Sequence, residues 1–135
     1  MAMMKAELFW LTLTTVLTGL LWLPYILDRV AVRGLMPTLD NPSPKGKPQT
    51  VWAVRLINAH MNQVENLVVF GILVLVLDAL AISTHITVLA CAIFFWARLV
   101  YVVVYTLGIP VLRTLAFTVG FLAEAALVLA IFRII

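Results

Sequence analysis

Residues 51–82 read VWAVRLINAHMNQVENLVVFGILVLVLDALAI. Polar side chains crowd the first half of this stretch and almost vanish from the second. Leu73-Val74-Leu75-Val76-Leu77 lacks the polar–apolar alternation that a transmembrane β-strand needs. Read as an α-helix, about 32 residues extend roughly 48 Å. The hydrocarbon core of a bilayer is only about 30 Å thick. The stretch therefore predicts a helix that crosses a membrane and projects its first turns into headgroups and water.

The flanking sequence repeats the pattern. Further spanning helices are predicted over about residues 7–27, 86–107 and 111–133. Residues 8–27 carry no charge, and Pro24 falls near their end. That stretch is too long for a signal-peptide core and no small-residue cleavage site follows, so it reads as a retained helix. Residues 28–50 form a polar loop in which Pro37, Pro42, Pro44 and Pro48 block a continuous helix. Ser83-Thr84-His85 makes a tight reversal, and Gly108-Ile109-Pro110 breaks the chain before the last helix. Val102-Val103-Val104 again shows no alternation. The fold class is an all-α membrane protein, a bundle of four transmembrane helices in a single domain over residues 1–135.

Composition agrees. Hydrophobic residues make up 64% and charged residues 11% of the 135; soluble domains run near 45–50% and about 25%. Mean hydropathy is +1.14. Such a chain has too little polar surface to cover itself in water. This excludes a soluble globular domain, a disordered segment and a DNA-binding module, and no nucleic-acid partner is implied. The lone cysteine, Cys91, forbids an internal disulfide and fits no metal-ligand spacing, so no metal site is expected.

The net charge of +3 matters through its positions. Arg29, Arg33, Lys45, Lys47 and Arg55 lie in or beside the first loop, and Arg113 follows the third. The positive-inside rule then puts loops one and three in the cytoplasm and both termini on the opposite side. Arg133 runs against that trend.

Charges inside a membrane are costly and mark functional candidates. Here they are Glu65, Asp78, Arg98 and Glu124. At about 100° per residue, Arg55, Asn58, Asn62, Glu65 and Asn66 share an arc of roughly 100°. Arg98, Tyr101 and Tyr105 share about 60°. Arg113, Phe117, Gly120 and Glu124 share a face of the last helix. Glu65 is the first expected partner of Arg98, with Glu124 second. Asp78 and Glu124 read as structural pairing groups, and His60, off the stripe, as interfacial structure. Under the expected topology all three stripes sit toward the cytoplasmic leaflet and converge on one polar cavity. Arginines clamp carboxylates, a glutamate holds an ammonium group, and asparagines pair with amides. A cation beside a thiol stabilises the thiolate. A small zwitterionic thiol peptide suits this inventory.

The segment from Arg55 through Asn58, Ala59, His60, Asn62 and Glu65 to Asn66 resembles a signature of the MAPEG family, the membrane-associated proteins of eicosanoid and glutathione metabolism. Ala97-Arg98-Leu99-Val100-Tyr101 through Tyr105, then Gly108-Ile109-Pro110-Val111-Leu112-Arg113-Thr114, is similar to a second signature. The resemblance implies a homotrimer that binds glutathione between subunits near the cytoplasmic side. It implies that Asn62 and Glu65 hold the glutathione backbone and amino end, and that Tyr105 contacts it. Arg113 would stabilise the thiolate, with Thr114 beside it, and Arg98 would belong to the buried polar network. Arg55, Asn58 and Tyr101 complete the expected binding set. Asn58 stands where many members carry an arginine, Tyr101 replaces a histidine of some members, and Phe117 a tyrosine.

The leading functional expectation is a glutathione-dependent membrane enzyme of the microsomal glutathione transferase kind. It would conjugate or reduce hydrophobic electrophiles or hydroperoxides that arrive through the lipid, with Arg113 and Thr114 as its catalytic residues. The alternative is a non-catalytic lipid-binding or scaffold member of the same fold, which the changes at Asn58 and Phe117 favour. A small proton-coupled exporter ranks last, because residues 8–27 lack the carboxylate such exporters carry.

Overall fold

A computed structural model of the chain describes residues 3–135. Among the described residues six helices follow one another: α1 (Ala6–Leu20), α2 (Trp22–Arg33), α3 (Leu35–Leu39), α4 (Val51–Ala79), α5 (His85–Leu107) and α6 (Pro110–Ile131). Four stretches are long and apolar enough to cross a membrane: Ala6–Arg33, Val51–Ala79, His85–Leu107 and Pro110–Ile131. The all-α, four-span architecture is as expected.

The first span differs in two respects. Pro24 has no N–H to offer the carbonyl of Leu20 and its ring crowds that carbonyl, so the helix is interrupted at Leu21 between α1 and α2. Residues 28–33 then continue as helix, where the sequence suggested loop. No proline intervenes before Pro37, and Gly34, at φ 86°, supplies the stop. The loop proper begins at residue 34 and is stapled at its base. Asp28 accepts from the backbone N–H and hydroxyl of Thr50 and from Gln49 Nε2, and Arg29 Nε donates to Gln49 Oε1 at 3.0 Å.

The remaining joints have local causes. Thr84 caps α5 in a reciprocal box with Thr87. At the end of α4, Ile82 N–H reaches back to the Leu77 carbonyl while Ala81 takes φ 53°. At the end of α5, Ile109 N–H reaches the Val104 carbonyl and Gly108 takes φ 80°. Both are Schellman stops, and only one is made with glycine. Pro110 opens α6, where a missing N–H costs nothing.

Helix α5 is the centre of the bundle and packs on α1, α4 and α6. The buried faces use small residues, Ala90 and Ala97 on α5 and Ala116, Gly120 and Ala123 on α6. Close backbone approach of this kind drives association where lipid is as apolar as leucine. Large aliphatics such as Val68, Ile72 and Leu75 face outward. One core cluster surrounds the stacked rings of Phe70 and Phe94, 4.0 Å apart. A second lies nearer the first loop and joins Leu56, Ala59, Val102 and Ala116 to Tyr101.

At the end away from the first loop, Lys5 Nζ bonds Asp78 Oδ1 at 2.7 Å, which is the structural pairing expected of Asp78. Glu7, one residue before the uncharged stretch, lies in the first turn of α1, buried, and accepts from the Thr87 hydroxyl at 2.6 Å.

Candidate functional site

The site grows from Arg98, only 1% exposed in the middle of α5. An unpaired guanidinium in hydrocarbon would be severely destabilising, so neighbouring helices must supply acceptors. Arg98 Nε donates to Gln63 Oε1 at 2.6 Å and Nη2 to Asn62 Oδ1 at 2.7 Å. Gln63 in turn donates from Nε2 to Thr18 Oγ1 at 3.1 Å, and the Thr18 hydroxyl donates to the Thr14 carbonyl. One hydrogen-bonded chain thus ties α5 to α4 and α4 to α1. On the α6 side, a Cβ on Gly120 would lie 3.6 Å from Arg98 Cδ, so the glycine face accommodates the arginine stem.

Arg98 does not pair with Glu65, the partner expected from the sequence. Gln63 and Asn62 take the guanidinium instead. Glu65 lies about 200° around the helix from Gln63 at helical spacing, and it is exposed on the outer face of α4 with Asn58. Glu124 is buried on α6; its Oε1 and Arg98 Nη1 are both without a partner among the described residues.

Aromatic rings cover the arginines. The Arg98 guanidinium carbon stands 4.2 Å from the Tyr101 ring centroid and 5.9 Å from that of Phe117. Arg113, half-buried at the start of α6, stands 4.6 Å from the Tyr105 centroid. Tyr101 and Tyr105 are themselves 5.6 Å apart. Such contacts fix a cation's position and offset part of its desolvation. Tyr101, Arg113, Thr114 and Phe117 line a cavity of about 150 Å³. Arg113 therefore lies over an aromatic ring and on a cavity wall, about two helix turns from Arg98.

Arg55 occupies a different place. A Cβ built on Gly108 would fall 2.5 Å from Arg55 Nη1 and 2.6 Å from its Cζ. The guanidinium lies flat on the glycine at the carboxyl end of α5, where the helix dipole favours a cation. It clasps α4 to the α5–α6 joint.

The sequence-derived set thus divides. Arg98, Tyr101, Tyr105, Arg113 and Thr114 gather around one cavity and its buried flank. Asn62 is shared: its Oδ1 serves Arg98 and also accepts from Asn66 Nδ2 at 3.2 Å, which leaves its own amide NH₂ available. Asn58 and Glu65 make no side-chain hydrogen bond or ion pair among the described residues and face outward. His60 is structural: its Nδ1 meets Tyr25 Oη at 2.9 Å and ties α2 to α4. The sequence points to neither Gln63 nor Thr18, and it marks Gly108 only as a chain break, not as the seat of Arg55. An uncharged amide beside a polar stripe was the only signal for Gln63.

The MAPEG family model matches residues 8–133 of the chain. No curated protein and no solved structure matches.

Proposed function

The chain belongs to the MAPEG family, and on that premise we propose that it is a glutathione-binding integral membrane enzyme that conjugates or reduces hydrophobic electrophiles or hydroperoxides. Family membership supports, in general terms, a membrane function in glutathione or eicosanoid metabolism. The observation that carries the finer reading is the placement of Arg113 against Tyr105, on the wall it shares with Thr114 and Tyr101.

The residues fit the peptide's charges. Glutathione supplies a thiol whose deprotonated form is the nucleophile. Arg113 holds negative charge at the sulfur position, and the Tyr105 ring keeps its guanidinium from turning to solvent. The Thr114 hydroxyl, beside it on the cavity wall, offers a second donor. Tyr101 and Phe117 exclude water there, which strengthens the attraction. The free NH₂ of Asn62 suits a peptide carbonyl and Glu65 an ammonium group.

At about 150 Å³, the cavity is smaller than the roughly 300–1,000 Å³ of a typical ligand site. One protomer accepts the sulfur end only, and the rest of the peptide needs further walls. The exposed face of α4 with Asn58 and Glu65 supplies one. A neighbouring copy in a homotrimer supplies the other, and the apolar outer faces open the site to lipid-borne substrates. We place the first and third loops in the cytoplasm, with both termini opposite, on their cation excess.

A specific observation favours the alternative of a non-catalytic lipid-binding or scaffold protein. Arg55 is turned onto Gly108 and Arg98 is sealed in the core, so Arg113 is the one arginine left at the cavity. Retention on glutathione-agarose, followed by conjugation of a chlorinated nitrobenzene, separates the readings. Arg113→Ala should abolish turnover and weaken retention. Retention without turnover on any electrophile or hydroperoxide selects the scaffold. Wild-type protein that neither binds nor turns over refutes the glutathione reading.

A further inference from the structure

The loop between α2 and α4 encloses a second cavity, of about 660 Å³, which falls within the usual size of ligand sites. Arg33, Pro37, Asp40, Ser43, Gly46 and Lys47 are among its lining residues. The loop is a held structure. Its base is closed by the Asp28–Thr50 and Arg29–Gln49 bonds. Across its middle, Arg33 Nε donates to the Lys47 carbonyl at 2.7 Å, and Gly46 N–H closes a turn onto Ser43. A Cβ on Gly46 would fall 3.4 Å from Arg33 Nε and Cζ, so the turn lies alongside the guanidinium.

Charge on this cavity is unbalanced. Two cations, Arg33 and Lys47, share the lining with one carboxylate, Asp40, and neither forms an ion pair among the described residues. Asp40 is turned to its own loop, where its Oδ1 accepts from the Asn41 N–H at 2.8 Å. With Nε committed to the Lys47 carbonyl, the two Nη groups of Arg33 remain for a ligand. A planar guanidinium beside a flexible ammonium suits phosphate oxygens.

The cavity's depth and its apolar side indicate where the phosphate comes from. The flanking spans have 28 and 29 residues, or about 42 and 44 Å of helix, against a hydrocarbon core of about 30 Å. Their surplus turns carry the loop base to the level of the headgroups. There α3 presents Leu35, Met36 and Leu39, exposed by 57%, 73% and 69%. Met36 and Leu39 also line the cavity. Exposed aliphatics next to unpaired cations are the composition of an element that lies in a membrane interface.

We propose that this cavity binds the phosphate headgroup of an anionic phospholipid from the leaflet that the loop faces. Arg33 and Lys47 bind the phosphate, and Leu35, Met36 and Leu39 lie against the glycerol and upper acyl region. The site is separate from the thiol cavity and does not depend on the glutathione reading.

The test is native mass spectrometry of the full-length protein in detergent, titrated with phosphatidylglycerol or phosphatidylcholine. The wild type should retain one phosphatidylglycerol in preference to phosphatidylcholine. Lys47→Gln should lower that occupancy about fivefold, the effect of one cation at an anionic surface. Lys45→Gln makes the same charge change outside the cavity lining and should leave occupancy unchanged. Arg33→Lys keeps the charge but loses the planar fork and should also weaken retention. Equal losses at Lys45 and Lys47 would overturn the proposal in favour of diffuse attraction. Unchanged retention in both Lys47→Gln and Arg33→Lys would also overturn it, as would no lipid preference. Displacement by excess inorganic phosphate would show a small-anion site instead. Displacement by glutathione would assign the cavity to the thiol peptide.

Discussion

Replacing Gly108 by alanine should cost far more than adding one methyl group to an exposed residue normally does. The backbone there has φ 80° and ψ 31°, a left-handed conformation that costs a residue with a Cβ about 1–2 kcal/mol. The new methyl would also sit 2.5 Å from Arg55 Nη1. A guanidinium on a flexible stem yields before the backbone does. Arg55 therefore swings off the carboxyl end of α5 and forfeits an interaction of about 0.3–1 kcal/mol with the helix dipole. Together Gly108→Ala should destabilise the bundle by about 1.3–3 kcal/mol. In an Arg55→Ala background the collision is gone, and only the conformational part, about 1–2 kcal/mol, should remain. Titration with a denaturing detergent, followed by fluorescence of Trp10, Trp22, Trp52 and Trp96, gives the four stabilities of the cycle. A coupling energy of zero would show that Arg55 does not rest on Gly108 in the membrane fold. A second readout reaches the site, because Arg113 stands five residues beyond Gly108. A displaced α6 entry should lower glutathione retention in protein that is still folded.

Other perturbations are equally specific. Gln63→Leu leaves Arg98 Nε buried without an acceptor and should cost about 1.5–3 kcal/mol, the range for a hydrogen bond to a charged group; the same detergent titration measures it, and a loss below about 0.5 kcal/mol would remove the network from the account of stability. Ala81 holds φ 53° at the end of α4, so Ala81→Gly should stabilise the protein by roughly 1 kcal/mol, visible as a later unfolding midpoint. Asp78→Asn breaks an ion pair whose partners are 53% and 39% exposed, and its effect should stay below about 1 kcal/mol. Phe70→Ala empties the centre of the core beside Phe94 and should cost about 3–5 kcal/mol.

Much of the fold was legible because insertion in a bilayer is judged residue by residue. Leucine and valine runs of the right length have few alternatives, and Gly108-Pro110 marks a joint by its chemistry. Pro24 is plain in the sequence, but the break it causes at Leu21 and the continuation to Arg33 depend on whether the following turns find support. Asp28 supplies that support by binding Gln49 and Thr50, a long-range contact with no local trace. The site was half legible. Helical spacing grouped Arg98 with the tyrosines and Arg113 with Phe117, and these groups do meet. Spacing also suggested Glu65 for Arg98, since opposite charges are the natural first pairing. Two amides took the role because they face inward at that level while Glu65 does not.

The number of membrane crossings, the rough positions of the turns and the helices that carry the costly side chains are all written in the order of the residues. Those outcomes follow from the transfer energy of each residue and from backbone rules that act over a few positions. Which polar groups satisfy which is settled later, when the helices pack. Packing seals Arg98 between Gln63 and Asn62, lays Arg55 on Gly108, leaves Asn58 and Glu65 facing outward, and forms a cationic cavity in the first loop. These pairings depend on how each helix is rotated about its axis, and that rotation is set by packing small residues against α5.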